Sequence, residues 1–289
     1  MISKSNADFG LHWQLGYGTG TAWYKSNAGD IDQKLVDATK TAVGLGYHHL
    51  DGAEVYNTEP ELGKAIKASG IPREELFVTT KCTSVTSNIQ EHFDESLKKL
   101  GLDHLDLYLL HSPFGAKGDK KILQEAWTAM EAIKASGKAK SIGVSNFLKE
   151  HLDTLLETAK VPPAINQIEF HPYLQHGDLI AYHKSKGIRL SAYSPLTPIT
   201  KASDGPLTPH LEDLAKKYAV SPGDILLRWV LDQDVVAITT SSKEQRLSDM
   251  LRAVTFKLTP KEVNEISSIG DQHHFRQYWT DIFDKNDRS

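Results

Sequence analysis

Cysteine is almost missing from this 289-residue chain. Cys82 stands alone, so no internal disulfide can form and metal centres built from several thiolates are excluded. A reducing compartment suits such a chain, and a cytoplasmic location is expected. No apolar run approaches the roughly 18 residues that a membrane-spanning helix needs. The opening MISKSNADFG has neither the apolar core of a secretory signal nor the Arg-rich pattern of a transit peptide. Basic clusters are missing too. Lys and Arg number 33 against 37 Asp and Glu, a net charge of −4, and the cations are scattered, which removes the footprint of a nucleic-acid binder. There is no GxGxxG after a strand, because Gly16-Tyr17-Gly18 does not complete one, so the usual dinucleotide-fold fingerprint is absent. HxH and HExxH are absent as well. His48-His49 and His273-His274 are adjacent pairs that do not readily converge on one ion, and no metal is expected.

What remains is an ordinary soluble composition, 39% hydrophobic and 24% charged, at a length that fits one α/β barrel. Short β-rich runs alternate with amphipathic stretches, the pattern of parallel strands joined by crossover helices. Strands are expected at 14–19, 47–51, 76–81, 105–111, 141–145, 165–170, 188–193 and 235–239. Helices are expected at 31–46, 59–69, 89–100, 122–136, 149–160, 177–186, 209–218, 221–233, 242–251 and 260–269. Gly44, Gly46, Gly70, Gly101, Gly137 and Gly187 follow helical runs where a left-handed residue is wanted, and Ser221-Pro222 reads as a cap with proline at the first helical position. Eight strand–helix units without a linker or composition break argue for closure into a single (β/α)8 TIM barrel domain over 1–289, with auxiliary C-terminal helices. The tail from Asp271 carries His273, His274, Phe275, Tyr278, Trp279 and Phe283, too aromatic for a solvated linker, and is expected to pack.

Working residues of such barrels sit at the C-terminal strand ends. Asp51 lies in LDGAEVY with Tyr56 just beyond, Lys81 ends FVTTK, and His111 ends LDLYLLH. Three consecutive strand ends would bring these four together. A carbonyl reductase must give a proton to oxygen while hydride reaches carbon, and a tyrosine serves if a neighbouring cation lowers its pKa. Tyr56 beside Lys81 meets that need; Asp51 would fix the ammonium, and His111 would orient the carbonyl. Taken singly, each has a bland alternative as packing tyrosine, snorkelling lysine, satisfied barrel histidine or helix-capping aspartate.

In combination, the order Asp51, Tyr56, Lys81, His111 resembles the catalytic tetrad of the aldo-keto reductase superfamily. GYGTGTAW at 16–23, SIGVSNF at 141–147, NQIEFHP at 166–172 and AYSPL at 192–196 are similar to that family's first-strand loop and cofactor-binding strand ends. The resemblance runs from about residue 14 to residue 251. It implies that Gly20, Thr21, Ala22 and Asp51 line a nicotinamide cofactor and that Ser145, Asn146 and Gln167 hold its carboxamide. It further implies that Tyr193 stacks on the ring and that Ser194, Pro195 and Leu196 meet the pyrophosphate. A carboxamide needs fixed donors and acceptors, which Asn, Gln and Ser supply. The bland alternative is that buried strand-end amides satisfy backbone groups in a turn.

The chain departs from the family's pattern twice, the first time in a minor way. Gly52 replaces the family's threonine after the aspartate, and Thr239-Thr240-Ser241 replaces a Pro-Lys-Ser run at the last strand. Thr240, Ser241, Ser242 and Arg246 then stand where the 2′-phosphate would be read, so NADPH is expected, with NADH working more weakly. A short N-terminus also implies a reduced barrel-plugging hairpin. For the substrate, Trp23, Tyr24, Tyr56, His111, Phe114, Tyr278 and Trp279 form an apolar surround that suits a planar or bulky small-molecule carbonyl. The first-strand loop resembles that of a fungal branch acting on keto esters, keto amides and cyclic dicarbonyls. The implied state is monomeric. Two rivals are a metal-dependent barrel hydrolase, whose ligands are mostly missing, and a cofactor-binding regulatory subunit, against which the intact tetrad argues.

Overall fold

In the computed structural model, which describes residues 13–83, 85 and 88–289, eight parallel strands close into a barrel in chain order. They are β1 (Leu15–Gly18), β2 (His49–Asp51), β3 (Phe77–Cys82), β4 (Leu105–Leu110), β5 (Ala139–Ser145), β6 (Ile165–Glu169), β7 (Arg189–Tyr193) and β8 (Val235–Thr239). Helices follow them: α1 (Gln33–Leu45), α2 (Glu59–Ser69), α3 (Ile89–Leu100), α4 (Lys120–Ala135), α5 (Lys149–Leu156), α6 (Leu179–Lys186), α7 (Thr197–Thr200), α8 (Thr208–Tyr218), α9 (Pro222–Leu231), α10 (Glu244–Met250) and α11 (Pro260–Gly270). All eight expected strands are present. Of the helices, α7 was not expected, and α5 stops at Leu156, four residues short of the expected 160. The barrel-plugging hairpin concerns residues before 13 and lies outside the described residues.

Alternation along the strands builds two cores. Successive side chains point to opposite faces, so in β4 Leu107 and Leu109 enter the barrel, where they pack with Ile165, Val236 and Ile238. Tyr108 and Leu110 face outward into the larger core shared with the helices, among Phe93, Trp127 and Met130. The same period-2 rule continues to the strand ends. Asp51 on β2, Lys81 on β3, Ser145 on β5, and Gln167 and Glu169 on β6 have the inward parity, which delivers polar side chains to one end of the barrel.

Helix termini follow from local chemistry. Ser221 accepts from the Asp224 amide while Asp224 returns to the Ser221 amide, and Thr259 with Glu262 repeats this capping box. Gly46, Gly70, Gly101, Gly137 and Gly187 have positive φ, as expected, whereas Gly44 lies inside α1.

Helix α2 meets the end of α3 through bare backbone. A Cβ at Gly63 would stand 2.2 Å from the Leu100 carbonyl oxygen, an obstacle that cannot rotate away. Gly63→Ala is therefore expected to cost about 3 kcal/mol in urea unfolding. Gly29→Ala, where nothing lies within 4 Å, should be near neutral. Equal midpoints for the two variants would refute the close approach.

Candidate active site

At the C-terminal end of the barrel lies a cavity of about 460 Å³, lined by Asp51, Tyr56, Gln167 and Tyr193 on its floor. Gly20, Thr21, Ala22, Ser194 to Thr197, Thr240 and Tyr278 also line it. Its size falls in the range of small-molecule sites. The backbone is left-handed at several non-glycine residues around it: Thr21, Asn146, Ser194 and Trp279 have φ of 39°, 61°, 54° and 60°. Such conformations cost free energy and persist where surrounding structure holds them, commonly at functional sites.

On this floor Asp51 is the junction. One carboxylate oxygen accepts from Lys81 Nζ at 2.6 Å and the other from Gln167 Nε2 at 2.8 Å, so the aspartate ties β2 to both β3 and β6 across the barrel. Lys81 is fully buried and donates a second hydrogen bond to the Gly52 carbonyl at 2.8 Å. Burial pulls its ammonium below the ordinary range, and Asp51 opposes that pull. The Lys81 ammonium lies 5.2 Å from the centre of the Tyr56 ring, and the His111 ring meets Tyr56 edge-on at 5.5 Å. The four residues expected to act together thus form a chain, Asp51 to Lys81 to Tyr56 to His111. Behind Gly20 there is no room: a Cβ there would stand 2.9 Å from the Tyr56 ring, so this glycine lets the phenol sit against the first-strand loop.

The electrostatics correct one expectation. Lys81 was expected to lower the Tyr56 pKa, but burial holds the phenol well above its ordinary value and the negative charge of Asp51 adds to this. Burial outweighs the pull of the cation, whose charge is paired with Asp51 2.6 Å away. Tyr56 is consequently a stocked proton donor across the neutral range. Burial, with Lys81 second, lowers His111 to about 3, so its imidazole is neutral and can donate a hydrogen bond.

Ser145, Asn146 and Gln167 also converge. Ser145 Oγ donates to the Gln167 carbonyl at 2.7 Å, and Asn146 Nδ2 donates to the His111 carbonyl at 2.8 Å. Tyr193 OH donates to Asn146 Oδ1 at 2.7 Å. In this state the amides satisfy one another and the turn, so a carboxamide would have to exchange with these bonds. Phe114 packs on Trp279 and Phe283, with ring centres 4.9 and 5.7 Å away, and Tyr278 meets Tyr193 at 5.5 Å. Other expected residues stand apart. Tyr24 is 52% exposed, and neither it nor Trp23 lines the cavity. Ser242 and Arg246 are exposed around the start of α10, outside the lining, while Ser241 is buried and caps the Lys243 amide at 3.0 Å.

Sequence reasoning passed over Thr197, Thr200, Lys201 and Gln277 in the cavity wall, and Glu169 behind it. Strand parity alone marked Glu169 as a carboxylate pointing into a barrel; the others come from a short helix and a tail with no periodic signal. Among the described residues, one set of possible metal ligands lies close together: Glu54, Cys82 and His92, within 4.8 Å. Glu54 already accepts from the Thr83 amide at 3.0 Å and contacts His92 Nδ1 at 2.7 Å, so it braces the turn that carries Tyr56.

A closed parallel barrel with a nucleotide-sized cleft over a buried Asp–Lys–Tyr–His cluster defines an oxidoreductase-type site. Residues 14–271 match the model of the Aldo/keto reductase family. The chain is 42% identical to an NAD/NADP-dependent indole-3-acetaldehyde reductase of Schizosaccharomyces pombe, covering 91% of this chain and 93% of that protein. It is also 42% identical to an NADPH-dependent alpha-keto amide reductase of Saccharomyces cerevisiae, over 93% and 90% of the two chains. Among solved structures, a Bombyx mori aldo-keto reductase in complex with NADP superposes with a TM-score of 0.79 at 36% identity, over 88% of each chain. An aldo-keto reductase from a Medee basin deep-sea metagenome library gives 0.81 at 34%, over 91% and 93%. The chain belongs to the aldo/keto reductase family.

With Tyr56 protonated and His111 neutral, the pH profile has a definite shape. Between about pH 5 and pH 9, kcat/KM for carbonyl reduction should be flat, because neither group changes charge there. A limb centred near pH 6.5 that vanishes in His111→Asn would contradict the neutral imidazole.

Proposed function

We propose that this protein reduces aldehydes or ketones to alcohols with NADPH, and that Tyr56 is the proton donor. The observation that carries the reading is a buried phenol at the floor of the cleft, its ring centre 5.2 Å from an ammonium that Asp51 anchors. The donor set fits the cofactor: an amide and hydroxyl group at Ser145, Asn146 and Gln167, an aromatic face at Tyr193, and the Ser194 to Thr197 turn along the cavity. Reduced nicotinamide, when bound, supplies a hydride to the carbonyl carbon. The carbonyl oxygen takes the Tyr56 proton, and the phenolate left behind regains a proton from water. His111 donates to the same oxygen and orients it. Lys81 stabilises the phenolate as it forms, which keeps the Tyr56 pKa below what burial alone would impose. Asp51 holds Lys81 in place.

Tyr278 in the cavity wall, with Trp279 and Phe114 packed on each other outside the lining, suits bulky or planar carbonyls, and we place α-keto esters, keto amides and vicinal dicarbonyls first. The aldehyde and keto amide named for the two fungal relatives support that class. Arg246 and Ser241 are assigned to the 2′-phosphate, since a guanidinium near a helix start suits a phosphate and no ion pair engages Arg246 among the described residues. Without a lysine at Thr240 the preference is modest, and NADH serves at lower efficiency. We take the chain as one domain, acting as a cytoplasmic monomer.

Tyr56→Phe should keep NADPH binding and lose about 10²–10⁴-fold in turnover on a panel of aldehydes, α-keto esters and diketones. Near-normal turnover would move the donor elsewhere. Arg246→Ala should lower kcat/KM about 10–100-fold with NADPH while leaving NADH nearly untouched, the worth of one charge-assisted hydrogen bond. Equal losses with both cofactors would remove Arg246 from phosphate recognition.

A further inference from the structure

Glu169 ends β6 with the inward parity that serves Asp51 on the opposite side of the barrel, yet no hydrogen bond or ring contact joins it to any of the four clustered residues. Its side chain is 1% exposed. A carboxylate so far from water needs several donors, and here they come from the C-terminal tail. Oε1 accepts from the Gln277 amide at 2.9 Å and Oε2 from the Tyr278 amide at 3.0 Å. His171 Nε2 lies 3.1 Å from Oε1, and His176 Nε2 is 2.5 Å from the Glu169 backbone oxygen. Burial keeps both imidazoles below their ordinary pKa, so each stays neutral and can offer an N–H.

Nearby, the Trp279 carbonyl accepts from the Ile282 and Phe283 amides at 3.0 and 2.9 Å, and the Tyr278 and Trp279 side chains reach Ser194 and Tyr193. The Phe275 amide reaches the Tyr173 carbonyl at 3.1 Å, and Arg276 is turned toward the chain end, where its guanidinium donates to the Ser289 carbonyl and stacks 4.1 Å over Phe283. Directly after the two amides that Glu169 holds come the aromatic side chains of Tyr278 and Trp279, the first in the cavity wall and the second against Phe114. Trp279 is itself left-handed, with φ of 60°, a conformation that a β-carbon resists and that an anchor immediately upstream can maintain.

We propose that Glu169 is a positioning residue for substrate recognition: its buried carboxylate clamps the tail backbone at Gln277–Tyr278 and so sets where Tyr278 and Trp279 stand over the cleft. It does not meet the substrate. The carboxylate is matched to its task because it offers two acceptors to two parallel amides, whereas an amide side chain offers one acceptor and turns an N–H towards the second backbone N–H. The idea goes beyond carbonyl reduction itself but reads out through it, so one arm of the test avoids activity.

Glu169→Gln keeps the shape and removes one acceptor. KM for a bulky aryl α-keto ester should rise about tenfold, as loss of one hydrogen bond to a charged group implies. The values of kcat, of KM for a glyoxal-sized dicarbonyl and of the NADPH Kd by fluorescence titration should stay within about twofold. In the Tyr278→Ala/Trp279→Ala background, the same substitution should add less than a twofold change, because the groups it positions are gone. Trypsin cleavage after half-buried Arg276 should accelerate at least tenfold in Glu169→Gln with NADPH present. Equal losses for large and small substrates, or full additivity with the tail variant, would overturn the clamp. So would unchanged trypsin cleavage, which judges it even if no carbonyl is turned over.

Discussion

Everything at the working end of this barrel depends on one buried carboxylate having two obligations. Asp51 accepts from Lys81 at 2.6 Å and from Gln167 at 2.8 Å, joining residues that are far apart in the chain. An ammonium with no exposed surface is tolerable only with such a partner, because removing either member would leave an uncompensated charge in a low-dielectric interior. The pair therefore does structural and electrostatic work together. It locks the lysine beneath the tyrosine, and the negative charge of Asp51 joins burial in holding the phenol's proton in place at rest. A developing phenolate would meet an ammonium already oriented, with little reorganisation to perform.

Much of this was legible in the sequence, and the reasons are specific. Parallel strands buried on both faces write themselves as short, mostly apolar runs, so all eight were placed, with starts off by up to two residues and ends by at most one. Asp51, Lys81 and the residue after β4, His111, were found because reactive side chains at strand ends stand out against apolar runs. The tyrosine came from its neighbourhood, and the turn that holds it, Glu54–Tyr56, is braced by Glu54 and His92 in a way no local pattern announces.

Less legible were quantities set by three-dimensional balance. The direction of the Tyr56 shift could not be read from adjacency of a lysine, because burial and Asp51 both act against it. Tyr24 looked like a pocket residue by its place beside Trp23, yet the short helical turn Thr21–Trp23 ends just before it and leaves it half exposed. Lys201 and Gln277 reach the cavity wall from irregular segments, where side-chain direction follows the path of the loop and not a period. Glu169 belongs to both groups: its parity was visible, its partners were not.

The sole cysteine has a further meaning. Cys82 follows Lys81 directly, but the alternation that sends the lysine inward sends the sulfur outward, into the layer between strands and helices beside Tyr108. None of the residues lining the cleft is a thiol. Activated carbonyl compounds are electrophiles, and conjugated ones alkylate exposed thiolates readily. A cleft walled by phenol, hydroxyl and amide groups, with the chain's sole thiol screened by a strand's own backbone, offers such molecules no thiolate to alkylate.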